Sequence, residues 1–276
     1  MPVTAPSLRA FLGAHAPFAK VTVTEAKGST PRETGTWMLV GSTAIFGTIG
    51  GGQLEFMAIA EAREMLRGRP SPLPGALGVH TLSIPLGPEI GQCCGGRVVL
   101  SISRVSDADR TALVETAVAE DARLPAVLVF GGGHVGRALA QALALLPVRA
   151  SVVETRADAI EGFPPAVETK LTPMPEEHVR AALPGTAFVV LTHDHALDFL
   201  IVAEALRRGD AAYVGMIGSQ TKKATFRSWF LKTANGSEAE FARLVSPIGG
   251  VSVRDKRPAV IAALAAAEIM TALARG

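Results

Sequence analysis

The chain's only two cysteines stand side by side in IGQCCGGRV, residues 90–98. A disulfide between them is a poor reading, because neighbouring Cα atoms lie about 3.8 Å apart and a disulfide spans roughly 4.4–6.8 Å. A structural zinc site is equally poor, since such sites use spaced cysteine pairs, usually two of them. Two readings remain: a buried structural pair, or a thiolate presented to a ligand from a glycine-wrapped loop. Gln92 precedes the pair.

Two further glycine runs have the form of anion-binding turns. GGGHVG holds Gly131, Gly133 and Gly136 in a G-x-G-x-x-G spacing, with His134 inside it. The pattern follows an apolar strand, AVLVF, and opens a helix; Glu154 closes the next strand, 18 residues beyond Gly136. That context is the one a dinucleotide fingerprint requires, with phosphate near the helix N-terminus and the carboxylate on ribose hydroxyls. The alternative is a turn of the same kind that binds something else or nothing. The second run, IGGGQLEF at residues 49–56, places Gly50, Gly51, Gly52 and Gln53 at a helix start. Upstream, STPRE puts Arg32 in a loop with two hydroxyls. In THDHALD, His193 and His195 follow a predicted strand, FVVLT. An H-x-H pair at a strand end suits ligand contact, acid–base work or a metal, though no third ligand is evident. Gly218 and Lys222 in GMIGSQTKK have two readings, part of an anion site or a plain capped helix start, with Ser219 as the expected N-cap.

The elements that hold these residues fall into two halves. Up to residue 122 the pattern is mixed α and β. SLRAFLGAHA and GQLEFMAIAEAREMLRG read as helices; KVTVTEAKG, TWMLVG, AIFGTIG, VHTLSIPL and RVVLSISRV read as strands. DADRTALVETAVAE is a helix leading out, and ARLP is a linker. From residue 123 strands and helices alternate, which predicts a Rossmann-like, doubly wound parallel sheet. The expected fold is therefore α/β, with an N-terminal mixed domain over 1–122 and a Rossmann-like domain over 123–276.

With 276 residues, 48% of them hydrophobic, the chain supports two real cores. A net charge of +2 without a basic run argues against nucleic acid as a partner. No apolar run approaches the roughly 18–20 residues that span a bilayer, and the N-terminus reads as no signal peptide. An adjacent cysteine pair without a disulfide framework fits the cytoplasm.

STPRE, GTIGGGQLE, GPEIGQCCGG, VFGGGHVG, LTHDHALD, GMIGSQTKK and SPIG follow one another over about 220 residues. This ensemble resembles the xanthine dehydrogenase accessory protein family of the XdhC/CoxI type. The resemblance implies a maturation factor rather than an enzyme. Such a factor binds molybdenum cofactor (molybdopterin) transiently, favours its sulfurated form and delivers it to a molybdenum hydroxylase client such as xanthine dehydrogenase. A cysteine desulfurase-type sulfur donor and self-association as a homodimer are implied as well. The tail departs from the family, with SVRDKRP where a Lys-Thr-Pro-like segment is expected. Under the resemblance, Cys93 or Cys94 becomes a soft thiolate donor to molybdenum through its cofactor, and the glycine loops become cradles for the pterin's phosphate. An NAD(P)-dependent oxidoreductase is the rival, disfavoured because Tyr213, the one tyrosine, has no Tyr-x-x-x-Lys partner. A persulfide carrier using Cys93 or Cys94 is a third reading.

Overall fold

A computed structural model describes residues 4–14, 16–68, 78–87 and 95–275. The chain divides into two compact units, Met1–Ala122 and Arg123–Gly276.

The first unit is a five-stranded antiparallel sheet with helices on both faces. The strands are β1 (Ala19–Lys27), β2 (Trp37–Val40), β3 (Ile45–Gly47), β4 (Val79–Pro85) and β5 (Arg97–Arg104), in the order β3-β2-β1-β5-β4. Alternation along each strand sorts the side chains. Val21, Val23, Met38, Val40 and Leu100 pack against Leu54, Ala58 and Ala62 of α2 (Gly52–Leu66). Leu39, one step out of phase, packs on the opposite face against Leu8 of α1 (Ala5–Ala14) and Leu113 and Ala117 of α3 (Asp107–Arg123).

The second unit is the expected parallel doubly wound sheet. Its strands are β6 (Ala126–Phe130), β7 (Arg149–Glu154), β8 (Glu168–Leu171), β9 (Ala187–Val190), β10 (Tyr213–Met216) and β11 (Leu244–Val245), in the order β11-β10-β9-β6-β7-β8. Central strands are buried on both faces, which is why they read as unbroken apolar runs. In β6, Val127 and Val129 face α4 (His134–Leu143) and α9 (Pro258–Leu273), whereas Leu128 and Phe130 join the cluster of α6 (His195–Arg207) and α7 (Gln220–Lys232). The chain runs outward through β7 and β8, then returns to β9 on the other side of β6. The point where direction reverses lies between β6 and β9. Ligands of open α/β sheets bind in the crevice that such a reversal opens beyond the strands' carboxyl ends.

The β4–β5 hairpin closes through Gly95 N–H donating to Leu86 O at 2.7 Å and Leu86 N–H donating to Gly96 O at 2.7 Å. A Cβ at Gly96 would sit 2.4 Å from Ser29 O and 2.6 Å from Lys27 O, whereas one at Gly95 would meet nothing within 4 Å. Gly95 has a φ of 65°, so a side chain there carries only backbone strain, on the order of 1–2 kcal/mol. Gly96→Ala is therefore expected to lower the urea midpoint of unfolding further than Gly95→Ala. Equal midpoints would mean that β1 yields without loss.

Candidate functional site

In the first unit the glycine run and Gly95, which leads into β5, both reach the loop at residues 28–35. Ser29 forms a backbone bridge with Gly95, so STPRE touches the strand that leaves the cysteine loop. On the other side, a Cβ at Gly50 would fall 2.7 Å from Pro31 Cβ and 3.6 Å from Arg32 Cγ, so IGGGQ lies directly on the same loop. Gly50, Gly51 and Gly52 have φ of 125°, 79° and 66°, a run only glycine adopts freely. The protein answers two of the run's N–H groups itself. Glu55, in the first turn of α2, accepts from Gly51 N–H at 2.6 Å and from Thr48 Oγ1 at 2.9 Å, while Thr48 Oγ1 accepts from Gly50 N–H at 3.1 Å. Arg32, Gly52 and Gln53 are exposed. Gln92, Cys93 and Cys94 lie outside the described residues, but Cys94 directly precedes Gly95.

The second unit repeats the device. Gly131, Gly132 and Gly136 are glycines because the fold leaves no room. Added Cβ atoms would approach Leu191 O to 2.5 Å, Ala159 O to 2.2 Å and Gly131 O to 2.0 Å. Gly133 differs. It caps α4 in extended geometry, φ −69°, and a Cβ there would meet nothing within 4 Å. Packing and backbone strain do not require a glycine at this position. Open space before a helix N-terminus fits the approach of an anionic group.

Glu154, only 4% exposed, turns inward. Its Oε2 accepts from Gly132 N–H at 2.7 Å and Arg156 Nη2 at 3.4 Å; its Oε1 accepts from Thr155 N–H at 2.8 Å and Arg156 N–H at 3.0 Å. Burial pushes this carboxyl up, but the bonds from Gly132 N–H, the Arg156 guanidinium and the two following N–H groups outweigh it and hold it at about 2. A carboxylate has about four lone-pair positions, and these are engaged.

Across the switch point, the turn after β9 carries exposed His193 and His195, and the turn after β6 carries exposed His134. The loop is fixed from beneath. Asp194 caps α6 by accepting from Ala196 N–H at 2.8 Å. Asp198, with no exposed surface, accepts from Thr192 N–H at 3.0 Å and Thr192 Oγ1 at 2.7 Å. Its other oxygen pairs with Lys222, whose side chain is 8% exposed. A Cβ at Gly218 would sit 2.7 Å from Lys222 Cδ, so this glycine gives the lysine stem its path. Ser219 caps α7 as expected, accepting from Lys222 N–H at 3.2 Å. Of the two readings of Lys222, anion contact or a plain capped helix start, neither includes its commitment to a buried internal carboxylate.

The structure thus gathers Gly131, Gly133, Gly136, His134, His193 and His195 at the carboxyl ends of β6 and β9, with Glu154 locked behind the glycine turn. It gathers Arg32 and Gly50–Gly52 in the other unit. Among the described residues no three His, Cys, Asp or Glu side chains are grouped to hold a metal. Sequence reasoning missed the Glu55 and Glu154 bonds to loop amides and the Asp198–Lys222 pair. A signal existed for the first: Glu55 stands in the first helical turn after the glycine run, where a carboxylate satisfies N-terminal donors.

A parallel sheet with a glycine turn and helix at its switch point defines a Rossmann-type unit, here joined to an antiparallel unit that carries its own glycine-loop cluster. Residues 127–269 match the XdhC Rossmann domain, and residues 11–74 match the XdhC and CoxI family. The chain belongs to that family. It is similar to the Escherichia coli (strain K12) protein YqeB, described as uncharacterized, at 28% identity over 266 residues. The match takes in 92% of this chain but 43% of that protein, so the chain spans less than half the length of this curated relative. A Bacillus halodurans crystal structure described as a xanthine dehydrogenase shares the fold, with a TM-score of 0.74 over 99% of this chain and 96% of its own, at 17% identity.

Two outcomes follow from this geometry. The depressed Glu154 carboxyl stabilises the fold at any pH above its ordinary value of about 4.5, by on the order of 3 kcal/mol. That contribution is lost as pH falls from there towards 2. Glu154→Gln should therefore be less stable than wild type at pH 7, and the gap should close between pH 4.5 and 2 in chemical denaturation; a gap independent of pH would refute the assignment. Second, Lys222→Met strands the buried Asp198 charge and is expected to destabilise by about 3–5 kcal/mol. Adding Asp198→Asn should restore most of the loss, and a double variant no more stable than the single would show that no such pair exists.

Proposed function

We propose that this chain is an accessory protein that binds molybdenum cofactor and hands it, after sulfuration, to a molybdenum hydroxylase such as xanthine dehydrogenase, without being an enzyme itself. The observation that carries this reading is family membership over both units, with matches at residues 11–74 and 127–269. The donor set fits such a ligand. The adjacent Cys93 and Cys94 offer a soft sulfur donor. The space in front of Gly133 leaves room for an anionic group at the start of α4. When bound, the cofactor supplies the molybdenum centre that the client enzyme uses; the chain's own task is to hold it, orient it and let it go. A cysteine desulfurase-type donor as sulfur source and a homodimeric state complete the reading.

Two observations weigh against the dehydrogenase alternative. Glu154 has its lone pairs engaged, so a ribose would have to break bonds that hold the glycine turn. Tyr213 is 5% exposed and donates to Glu268 at 2.8 Å; burial, then the Glu268 charge, push its hydroxyl far above the usual range. It is a structural strut, held over Gly215.

The reading is tested by expressing the full chain anaerobically and analysing what co-purifies. A pterin with molybdenum is expected, and a nicotinamide in its place would overturn the proposal. Cys93→Ser and Cys94→Ser nearly conserve volume, so both should keep the wild-type Tm, while one of them loses at least tenfold in retained cofactor and matures little active client. If the folded double variant retains and delivers cofactor as wild type does, the thiols are not the ligand. Gly133→Val should likewise fold and lose retention, and full retention would make that loop structural.

A further inference from the structure

In the first unit a groove of about 810 Å³ is lined by Arg32, Gly35, Thr36, Trp37, Ile45, Phe46, Gly47, Thr48 and Glu120. Its size falls within the roughly 300–1,000 Å³ of small-molecule clefts. The wall is aromatic and rigid. Trp37 and Phe46 stack with ring centroids 6.4 Å apart, and Phe46 is backed by Phe11 at 5.3 Å and through it by the buried Phe18 at 5.5 Å. Two charged groups of opposite sign line the same groove. Arg32 and Glu120 are both exposed, and neither has a hydrogen bond or an ion pair among the described residues. A guanidinium without a partner binds phosphate or carboxylate in a fork. A carboxylate without a partner accepts two parallel N–H bonds from a flat ring.

The groove also borders the meeting point of the motif loops. Arg32 belongs to STPRE, and Thr48 leads into the Gly50–Gly52 run. Ser29, three residues before Arg32, bridges to Gly95, the residue after Cys94.

We propose that this groove binds the body of a fused-ring heterocycle with adjacent ring N–H and amino groups, the edge shared by pterins and guanine, and with an anionic tail. The flat rings lie against the Trp37–Phe46 wall, Glu120 takes the paired N–H edge, and Arg32 takes the tail. The proposal rests on the cofactor-carrier reading above for its biological setting and refines where in the chain the ligand's rings are held.

The test uses the full-length protein carrying Trp229→Phe, which leaves Trp37 as the one tryptophan of the two in the chain. Its fluorescence is titrated with pterin-6-carboxylate, GMP, AMP and inorganic phosphate, corrected for absorption. Saturable quenching by pterin-6-carboxylate, by GMP or by both is expected, and which of them quenches identifies the source of the shared edge. AMP, which lacks the paired donors, should bind at least tenfold more weakly, and phosphate should not quench. Glu120→Gln should raise the Kd of the quenching ligand at least tenfold, and Arg32→Gln should do so for the tailed ligand but not for unsubstituted pterin or guanosine. Absence of saturable quenching, equal binding of AMP, or wild-type binding by Glu120→Gln would overturn the proposal. Cofactor retention in the same variants separates the two claims. Full retention by a protein lacking both Glu120 and Arg32 sinks the groove and leaves the carrier standing. A wild type without cofactor whose groove still binds GMP sinks the carrier alone.

Discussion

Glycine lets a chain turn where no side chain fits, but it leaves the turn's N–H groups bare, and in both units a carboxylate from a neighbouring element reaches back to cover one. Glu154 closes on Gly132 at 2.7 Å and Glu55 on Gly51 at 2.6 Å. A buried backbone donor left unpaired costs on the order of 1–3 kcal/mol, so each bond helps fix the geometry of its loop. Around the Rossmann turn the remaining constraints are steric. Three of its glycines lie against carbonyl oxygens, which leaves the turn little freedom to shift without disturbing β9 or the segment after β7. The positions of Gly133 and His134 at the switch point descend from this one locked turn.

Charge follows the same economy. Each buried carboxylate near the crevice carries its own cation, Arg156 for Glu154 and Lys222 for Asp198. Neither of these two cations is then free for an incoming anion, and the helix N-termini remain open to one. Such a field is weaker than a cluster of bare lysines and does not demand a permanent counter-ion.

Much of the architecture was legible in the sequence because period and burial coincide. β6, β9 and β10 are buried on both faces and read as apolar runs, and β1 and β5 alternate as half-buried antiparallel strands do. β8 and β11 were not legible. β8 is the largely exposed ETKL at a sheet edge, and β11 has two residues, so neither has a periodicity to show. At the candidate site the loops were visible and their internal bonding was not. Glu154 was expected at the end of β7 with its carboxylate turned to a ligand, because spacing places a residue without orienting its side chain. Asp198 and Lys222 lie 24 positions apart, and only the adjacency of β9 and β10 brings them together. The aromatic wall of Trp37 and Phe46 has no motif at all, being formed by a hairpin register that pairs Leu39 with Phe46.

A tight enzyme site and a carrier site face opposite demands on the empty state. A carrier must give up its ligand, so the empty loops must not be much worse off than the filled ones. Internal carboxylates on Gly51 and Gly132, and internal cations on those at the switch point, meet that demand by leaving few groups unsatisfied when no ligand is present. At the switch point, what a ligand gains is then confined to groups the protein leaves open, the space before Gly133 and the exposed histidines. Affinity built from a few such contacts depends on making them together, and loosening any one of them speeds release. On the carrier reading proposed above, the carboxylates that close the glycine loops belong to a ligand's release as much as the open groups belong to its capture.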